Sequence, residues 1–162
     1  MGQIECFVDG ASRGQGQDIT NIAACAAVIY KDRKMVASYA RALGPRSNNE
    51  AEYEAVLLGL LMCAMADWHN PTIYTDSAVV ANQVKGKWKC TSKQLLPLLV
   101  SIQSIKESFY FQLKQVPRAE VHPADTEANK FLDHLDAQLS DPKLRKNLRK
   151  NKKKKAGPKK DG

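Results

Sequence analysis

The stretch IECFVDG, residues 4–10, sets a short apolar run directly before Asp9 and Gly10. Such a run, ended by a polar turn, is typical of a buried β-strand. A second stretch, IYTDS at residues 73–77, has the same form and ends on Asp76 and a serine. The sequence therefore predicts two buried strands, each closed by an aspartate.

Seven further segments complete the pattern around these two strands. Apolar runs and alternating patterns predict the strands, while capping residues and turn residues mark where the helices begin and end. The predicted order is β-β-β-α-β-α-α-β-α, with strands at 4–8, 22–30, 35–43, 72–75 and 109–116 and helices at 47–67, 77–84, 92–107 and 123–139.

This order predicts an α/β fold with a mixed five-stranded sheet and helices on both faces. The first three strands are expected to pair as an antiparallel meander, and the helical crossovers make the later strands parallel to the first. Residues 10–21 are rich in Gly, Gln and Ser and predict a loop. In an open α/β sheet, ligands bind at the carboxyl ends of the strands, which is where Asp9 and Asp76 are expected.

Charge is divided unevenly along the 162 residues. The formal net charge is +8, but residues 143–162 hold 11 basic residues and one acid, which leaves 14 basic and 16 acidic residues in 1–142. We predict a folded domain at 1–141 and a disordered basic tail at 142–162 that is too charged to fold alone. The tail is a solubilising extension, a nuclear localisation signal or a tether that binds other nucleic acid by neutralising phosphates. We favour the tether because the body is net acidic.

Membrane insertion and export are not predicted. The longest apolar run, residues 55–66, has 12 residues, whereas a membrane span needs about 20, and no basic segment precedes an apolar run at the start of the chain. The four cysteines lack C-x-x-C spacing and predict buried free thiols in a reducing compartment. We expect a monomer without a membrane partner, cytoplasmic or, in a eukaryote, nuclear.

Four acidic residues are candidates for a single site. Asp9 and Asp76 converge if the first and fourth strands are parallel neighbours, and they repel each other unless a divalent cation neutralises them. Glu52 stacks in line with Val56 on the core-facing side of the first helix, and Asp125 adds a fourth oxygen donor at the start of the last helix. Four carboxylates with almost no histidine predict a hard cation, Mg²⁺ or Mn²⁺, and not zinc.

Four motifs in register carry a resemblance to a known family. They are DGASRG at 9–14, NNEAEYEA at 48–55, YTDS at 74–77, and VPR at 116–118 followed by AD at 124–125. In this order, and with the matching order of strands and helices, residues 3–139 resemble ribonuclease H of type 1. The segment after the second helix is short, so the chain resembles the compact form of the family, without its basic protrusion.

The resemblance implies an endonuclease that cuts the RNA strand of RNA–DNA hybrids with two Mg²⁺ ions per site, Mn²⁺ being the alternative. Asp9 would bridge the two ions, Glu52 and Asp76 would bind the first ion, and Asp125 would bind the second. Glu52 would also contact the 2′-hydroxyl beside the cut. The products would carry 5′-phosphate and 3′-hydroxyl ends.

The resemblance also implies contacts with the nucleic acid. Asn48 and Asn49 match residues that read 2′-hydroxyls in the minor groove, and Ser47 matches a hydroxyl in a pocket for a DNA phosphate. The further implied contacts are Ser12, Ser77, Lys85, Lys87, Trp88 and Lys89, the last four in a segment that follows the DNA strand. His122, expected in a short loop before Asp125, matches a mobile histidine that assists product release.

Two alternatives stay open. The first keeps the fold without the chemistry, as a non-catalytic ribonuclease H-like module that binds nucleic acid, although the presence of all four acids counts against it. The second is another nuclease on the same fold, an exonuclease or a DNA-cutting enzyme. The Asn48-Asn49 pair and the context of Glu52 favour hybrid cleavage.

The segment GQGQ at 14–17 departs from the family pattern. The departure affects the contacts expected between this loop and the hybrid, but it does not affect the four acids.

Overall fold

The computed structural model describes residues 2–14, 22–143 and 146. Its strands and helices occur in the predicted order, with one added 3-10 turn. The bounds are β1 (Ile4–Arg13), β2 (Ile22–Lys31), β3 (Lys34–Gly44), α1 (Asn48–Met65), β4 (Thr72–Thr75), α2 (Ala78–Val84), α3 (Leu96–Ser108), β5 (Gln112–Gln115), the 3-10 turn (Arg118–Val121) and α4 (His122–Leu139). Within the described ranges, none of the helices combines the length and the apolar character of a membrane span.

The chain divides into two units, residues 1–132 and 133–162, and the division falls inside α4. The sheet, the first three helices and all four candidate acids belong to the first unit. The second unit contains the end of α4 and the predicted basic tail. Residues 144, 145 and 147–162 lie outside the described part of the chain, so the disorder of the tail and the domain boundary at 141 stay predictions.

β1 lies at the centre of the sheet, whose strand order is β3-β2-β1-β4-β5. It pairs antiparallel with β2 along its whole length and parallel with β4 over residues 5–7. β3 extends the meander antiparallel to β2, and β5 extends the other edge parallel to β4. The predicted mixed five-stranded sheet is therefore confirmed.

Small residues let α1 pack closely on the sheet. The first eight residues of β2, IAACAAVI, are all buried. A Cβ added at Gly59 of α1 would come within 2.7 Å of Cys6 Sγ and 2.9 Å of Val8 Cγ1 on β1. The fully buried Tyr53 donates its hydroxyl to Gln83 Oε1 of α2 at 2.7 Å. These contacts fix α1 over β1 and, with it, the residues at the start of α1.

Helices cover both faces of the sheet. Successive residues of a strand point to opposite sides, so β1 contacts helices on both faces. Val8 and Gly10 of β1 face α1. Arg13, on the other side, contacts Asn129 of α4. The central strand therefore meets α1 on one face and the first turns of α4 on the other.

β1 is longer than the sequence predicts, which changes the place of Asp9. Residues from Asp9 to Arg13 pair with Ala26 to Ile22 of β2. Asp9 therefore lies inside the strand and does not close it, and residues 10–13, predicted as the start of a loop, belong to the strand. The apolar run ends earlier than the strand because backbone pairing with β2 continues without apolar side chains.

Two other boundaries differ from the prediction. α3 begins at Leu96 and not at residue 92. The Ser92 hydroxyl accepts from the Leu95 N–H at 3.3 Å, and this hydrogen bond holds residues 92–95 in a turn before the helix. β5 covers only four residues of the predicted strand at 109–116. The strand begins later than predicted because the Phe109 N–H donates to Ile105 O in the last turn of α3 at 2.8 Å. This hydrogen bond ties Phe109 to the helix and not to the sheet.

Gly10 sets the approach of β1 to α1, and its replacement tests this role. A Cβ at this position would collide with the backbone of Ala51 and Glu52, and backbone atoms cannot turn aside as a flexible side chain can. Gly10→Ala is expected to destabilise the protein by about 1–3 kcal/mol, measured by thermal unfolding followed by circular dichroism.

Gly59→Ala is the matched control for this prediction. Its added Cβ would come closest to side-chain atoms, Cys6 Sγ at 2.7 Å and Val8 Cγ1 at 2.9 Å, and not to backbone. A smaller loss of stability is expected for Gly59→Ala. Equal losses in the two variants would contradict the special role of Gly10.

Candidate metal centre and nucleic-acid interface

The pairing of β1 with β4 aligns two of the predicted acids. Their parallel register matches Phe7 with Tyr74, and the same register extended by two residues sets Asp9 beside Asp76. Asp9 is only 6% exposed, and Asp76, which follows β4, is half-buried. The register alone brings two carboxylates to one place in the sheet.

Glu52 reaches the same place from the start of α1. Ser47 caps this helix: its hydroxyl accepts from the Glu50 N–H, and the Glu50 carboxylate accepts from the Ser47 N–H at 2.8 Å. This capping box fixes the first turn of the helix directly before Glu52. One carboxylate oxygen from each of Asp9, Glu52 and Asp76 lies within 4.8 Å of the other two.

Asp125, the fourth predicted acid, comes from the first turn of α4. Its carboxyl lies within hydrogen-bonding reach of Asp9. Asp125 Oδ1 accepts from Arg118 Nη2 at 3.2 Å and from Asn129 Nδ2 at 3.0 Å. The structure thus brings the four predicted acids together, with Asp125 beside the cluster of three.

Burial, together with the crowding of these carboxylates, raises the pKa of two of them. Burial raises the pKa of Asp9 to about 8, and the three neighbouring acids add to the rise. Burial also raises the pKa of Glu52, as does the charge of Asp76, whereas a hydrogen bond from Ser77 and the positive charge of Arg118 lower it. A raised pKa means that the charged carboxylate is disfavoured, so a bound cation would stabilise the charged cluster.

The cluster has the properties of a divalent-cation site. Asp76 Oδ1 is buried and has no hydrogen-bond partner among the described residues. A buried polar atom without a partner is costly, and a metal ion would satisfy it. The donors are all carboxylate oxygens, the set that Mg²⁺ and Mn²⁺ prefer. The residues therefore fit a hard divalent cation.

Two of the predicted hybrid contacts bind each other. Asn48 Oδ1 accepts from both the N–H and the hydroxyl of Ser12, each at 2.9 Å. The carbonyl side of the amide is thereby fixed toward β1, and the NH₂ group of Asn48 is the side directed away from it. An amide NH₂ is a donor suited to a 2′-hydroxyl oxygen.

Ser12, Ser47 and Asn49 line a common cavity of about 440 Å³. Arg46 and Glu50 also line it, so its walls carry hydroxyl, amide, guanidinium and carboxylate groups. The Ser47 hydroxyl accepts from the Glu50 N–H at 3.2 Å, and its own proton can donate to an anion. The cavity contains the hydroxyl that the sequence analysis assigns to a phosphate pocket.

The segment after α2 presents its basic and aromatic side chains to solvent. The backbone N–H groups of two of its residues donate to Asn82 O at 2.9 and 3.1 Å and hold it in a turn. Residues 85–95 contain no helix, which agrees with the predicted compact form. The four residues predicted to follow a DNA strand are all exposed: Lys85, Lys87, Trp88 and Lys89.

Ser77 is buried, although the sequence analysis places it at the nucleic acid. Its hydroxyl accepts from the Val80 N–H at 3.2 Å and caps α2. It also lies close enough to Glu52 to lower the pKa of that carboxyl by hydrogen bonding. In this structure Ser77 therefore lies beside one of the acids.

The expectation that His122 lies in a short loop is wrong. The 3-10 turn at Arg118–Val121 runs directly into α4, so His122 is the first residue of that helix. Its Nδ1 lies 2.8 Å from the Thr126 hydroxyl. The role of His122 in product release stays a prediction.

Three residues that contact the acids or their neighbours were not predicted from the sequence: Arg13, Arg118 and Asn129. Arg13 and Arg118 both belong to the motifs quoted above. Asn129 follows Asp125 by four residues, and on a helix that spacing places two side chains side by side. This spacing is the feature of the sequence that could have identified Asn129.

Comparison with known proteins identifies the family. The reverse transcriptase-like family matches residues 8–131, a range that contains all four acids. A ribonuclease HI of Halobacterium salinarum is 31% identical over 134 residues, which are 82% of this chain and 65% of that protein. The bifunctional protein Rv2228c of Mycobacterium tuberculosis is 31% identical over 128 residues, which are 77% of this chain and 34% of that protein.

Solved structures share the fold. RNase H1 of Halobacterium salinarum superposes with a TM-score of 0.75 at 30% identity and covers 82% of this chain and 99% of its own. The N-terminal RNase H domain of Rv2228c gives a TM-score of 0.77 at 28% identity and covers 86% of this chain and 100% of its own. LC11-RNase H1, solved in complex with an RNA/DNA hybrid, gives 0.70 at 23% identity over 79% of this chain and 95% of its own.

The sheet order and the acidic cluster at the centre of the sheet together define a ribonuclease H-like protein. The chain belongs to the reverse transcriptase-like family, and its resemblance to ribonuclease H of type 1 is confirmed by these relatives. It spans less than two thirds of the length of the curated relatives, 65% of one and 34% of the other.

Asp9→Asn tests the electrostatic repulsion in the cluster. The pKa of Asp9 is about 8 in the folded protein, against an ordinary value of 3.8, so its carboxyl destabilises the fold increasingly as the pH rises from about 4 to 8. In EDTA at pH 8.5, Asp9→Asn is expected to raise the Tm by several degrees, since 1 kcal/mol corresponds to about 2–4 °C at this size. Saturating Mg²⁺ should remove the advantage, because only the wild type keeps all its ligands.

The control for this measurement is Glu107→Gln, which removes a charge from an exposed position on α3. Its Tm is expected to match that of the wild type under both conditions. An Asp9→Asn protein less stable than the wild type in EDTA at pH 8.5 would show that the carboxylates do not repel as inferred.

Proposed function

We propose that the chain is an endonuclease that hydrolyses the RNA strand of RNA–DNA hybrids and leaves 5′-phosphate and 3′-hydroxyl ends. The observation that carries the proposal is the convergence of Asp9, Glu52 and Asp76 within 4.8 Å, with Asp125 beside Asp9. The family of the chain and the relative named ribonuclease HI support it.

In this proposal the four acids hold two Mg²⁺ ions, or Mn²⁺ in their place. Asp9 is shared, Glu52 and Asp76 bind one ion, and Asp125 binds the other. The bound ions would lower the pKa of the attacking water and neutralise charge on the scissile phosphate and the leaving oxygen. The protein contributes fixed donor positions: Asp9 lies in a paired strand, and Glu52 follows a capped helix start. Ligands held in this way need little reorganisation during the reaction.

Recognition of the hybrid rests on donors near the start of α1. The NH₂ group of Asn48, oriented by Ser12, is placed to bind a 2′-hydroxyl, the group that distinguishes RNA from DNA. Asn49 lies beside it in the chain, and Ser47 offers its hydroxyl in the cavity that Asn49 also lines. The exposed Trp88 and its flanking lysines supply stacking and charge for the DNA strand.

Three expectations about the whole chain belong to the same proposal. We expect a monomer, located in the cytoplasm or, in a eukaryote, the nucleus. We also expect residues 142–162 to act as a tether, because a run of lysines neutralises phosphates and releases their counterions. The net negative charge of the body makes such a tether useful near a polyanion.

The decisive experiment offers labelled RNA–DNA hybrid, duplex DNA and duplex RNA to the full chain with Mg²⁺ or with EDTA. Cleavage is expected only in the RNA strand of the hybrid and only with Mg²⁺. Asp76→Asn is expected to lower the rate by more than the roughly 10–100-fold typical of outer-shell partners, because it removes a direct ligand. End analysis of the products tests for 5′-phosphate and 3′-hydroxyl termini.

Binding of the hybrid, followed by fluorescence anisotropy, separates the alternatives. Tight binding without cleavage would favour the non-catalytic module, and cleavage of duplex DNA would favour a different nuclease on the same fold. The surface variant Glu107→Gln controls for preparation and should cleave like the wild type.

Asn48→Asp tests whether this amide reads the RNA strand. Aspartate keeps an oxygen that can accept both hydrogen bonds from Ser12 and suits a helix N-terminus, so the fold should be preserved. The NH₂ donor is lost and an acceptor takes its place. The KM for the hybrid is expected to rise about tenfold, the equivalent of about 1.4 kcal/mol, in steady-state cleavage assays.

Asn70→Asp is the matched control, since it adds the same charge at an exposed position beyond the far end of α1. It should leave the KM near the wild-type value. An equal rise in KM for both variants would mean that the effect is one of net charge and that Asn48 does not contact the RNA strand.

A further inference from the structure

The Asp125 carboxylate is held by a chain of polar contacts that begins on β1. Arg13 Nη2 donates to Asn129 Oδ1 at 3.3 Å and approaches the Asn129 backbone oxygen at 3.5 Å. The Asn129 NH₂ group donates to Asp125 Oδ1 and to the Asp125 backbone oxygen, each at 3.0 Å. The amide of Asn129 therefore lies between two charged groups. Its oxygen faces the Arg13 guanidinium, and its NH₂ group faces the Asp125 carboxylate.

These contacts join the two elements that supply Asp9 and Asp125. Arg13 is the last residue of β1, and Asn129 lies one turn after Asp125 on α4, 116 residues further along the chain. α4 lies outside the sheet, and side-chain contacts between β1 and α4 contribute to the distance between these two acids. The Arg13–Asn129 contact is such a link. The NH₂ group of Asn129 continues it to the Asp125 carboxylate.

One oxygen of Asp125 carries the supporting contacts. Oδ1 accepts from both Asn129 and Arg118, and Oδ2 is the oxygen that this arrangement leaves for a cation. The Arg118 side chain is 75% exposed, and an exposed ion pair contributes little. The half-buried amide of Asn129 is therefore the contact that defines the orientation of the carboxylate.

We propose that Asn129 is a positioning residue, oriented by Arg13, that sets the Asp125 carboxylate for the second metal ion. This inference rests on the proposed function. Asn129 acts through Asp125 and touches neither substrate nor metal. Without it, the Asp125 side chain would have to be ordered at the moment of binding, at an entropic cost, and the affinity for the ion would fall.

The first test replaces the amide by an apolar group of similar size. In hybrid cleavage by the full chain, Asn129→Leu is expected to raise the half-saturating Mg²⁺ concentration about tenfold, at the lower end of the effect of an outer-shell partner. The kcat at saturating Mg²⁺ should stay within about threefold. Arg13→Gln should act in the same direction, and the double variant should be no worse than Asn129→Leu alone, because both residues act in one chain of contacts.

A second readout does not depend on catalysis. Mn²⁺ is titrated by calorimetry onto the wild type, Asn129→Leu and Asp125→Asn, and Asn129→Leu is expected to reproduce most of the loss of affinity caused by Asp125→Asn. Thr126→Val, which changes a neighbouring side chain on the same turn of α4, is the matched control and should bind Mn²⁺ like the wild type. Melting temperatures confirm that each variant is folded.

The outcomes separate the inference from the proposed function. A wild-type Mn²⁺ isotherm and a wild-type Mg²⁺ dependence for Asn129→Leu would overturn the inference. Additive effects of the Arg13 and Asn129 variants would overturn the part played by Arg13. Failure of the wild type to cut the hybrid would overturn the proposed function, and the Mn²⁺ isotherms would still decide whether Asn129 positions Asp125.

Discussion

Repulsion among carboxylates in the centre of the sheet is the constraint on which the rest of the structure depends. Burial and three neighbouring acids raise the pKa of Asp9 to about 8, so the fold must hold these groups together against an unfavourable electrostatic term. It does so by placing three of the acids on different rigid supports. Asp9 lies inside the central strand, Asp76 is set by the register of β4, and Glu52 follows a capped helix start. The cost is offset by the surrounding core of β2 and α1, which is packed with small residues.

The four acids are not held in the same way. Backbone geometry places Asp9, Glu52 and Asp76, and it would take a shift of a strand or a helix to separate them. Asp125 comes from α4, outside the sheet, and depends on hydrogen bonds from Asn129 and Arg118. The two-ion site proposed above would have one half placed by the backbone and one half placed by polar side chains. Side-chain substitutions would therefore change the affinity for the second ion most readily.

The sequence predicts those features that follow from local patterns and from chain topology. The strand order makes β1 and β4 parallel neighbours, and this alone predicts the meeting of Asp9 and Asp76. The length of β1 could not be read in the same way, because its last residues pair with β2 through the backbone while their side chains are polar. The burial of Ser77 and the role of Asn129 also escaped prediction, since each depends on where a helix lies in three dimensions. Patterns of apolar residues locate helices and strands but do not give the contacts of single polar side chains.

The part of β1 that was predicted to be a loop connects the candidate metal centre with the candidate nucleic-acid interface. Alternation along the strand sends Gly10 and Ser12 toward α1, and Asp9 and Arg13 toward α4. On the α1 side, Gly10 admits the backbone before Glu52, and Ser12 fixes the amide of Asn48. On the α4 side, Asp9 supplies a carboxylate, and Arg13 fixes the amide of Asn129. Five consecutive residues of one strand, 9–13, thus set the relative positions of groups from both helices. A change in the pairing of β1 with β2 would therefore move the acids and the Asn48 amide, the proposed contact with the hybrid, together, because the same segment of backbone positions both.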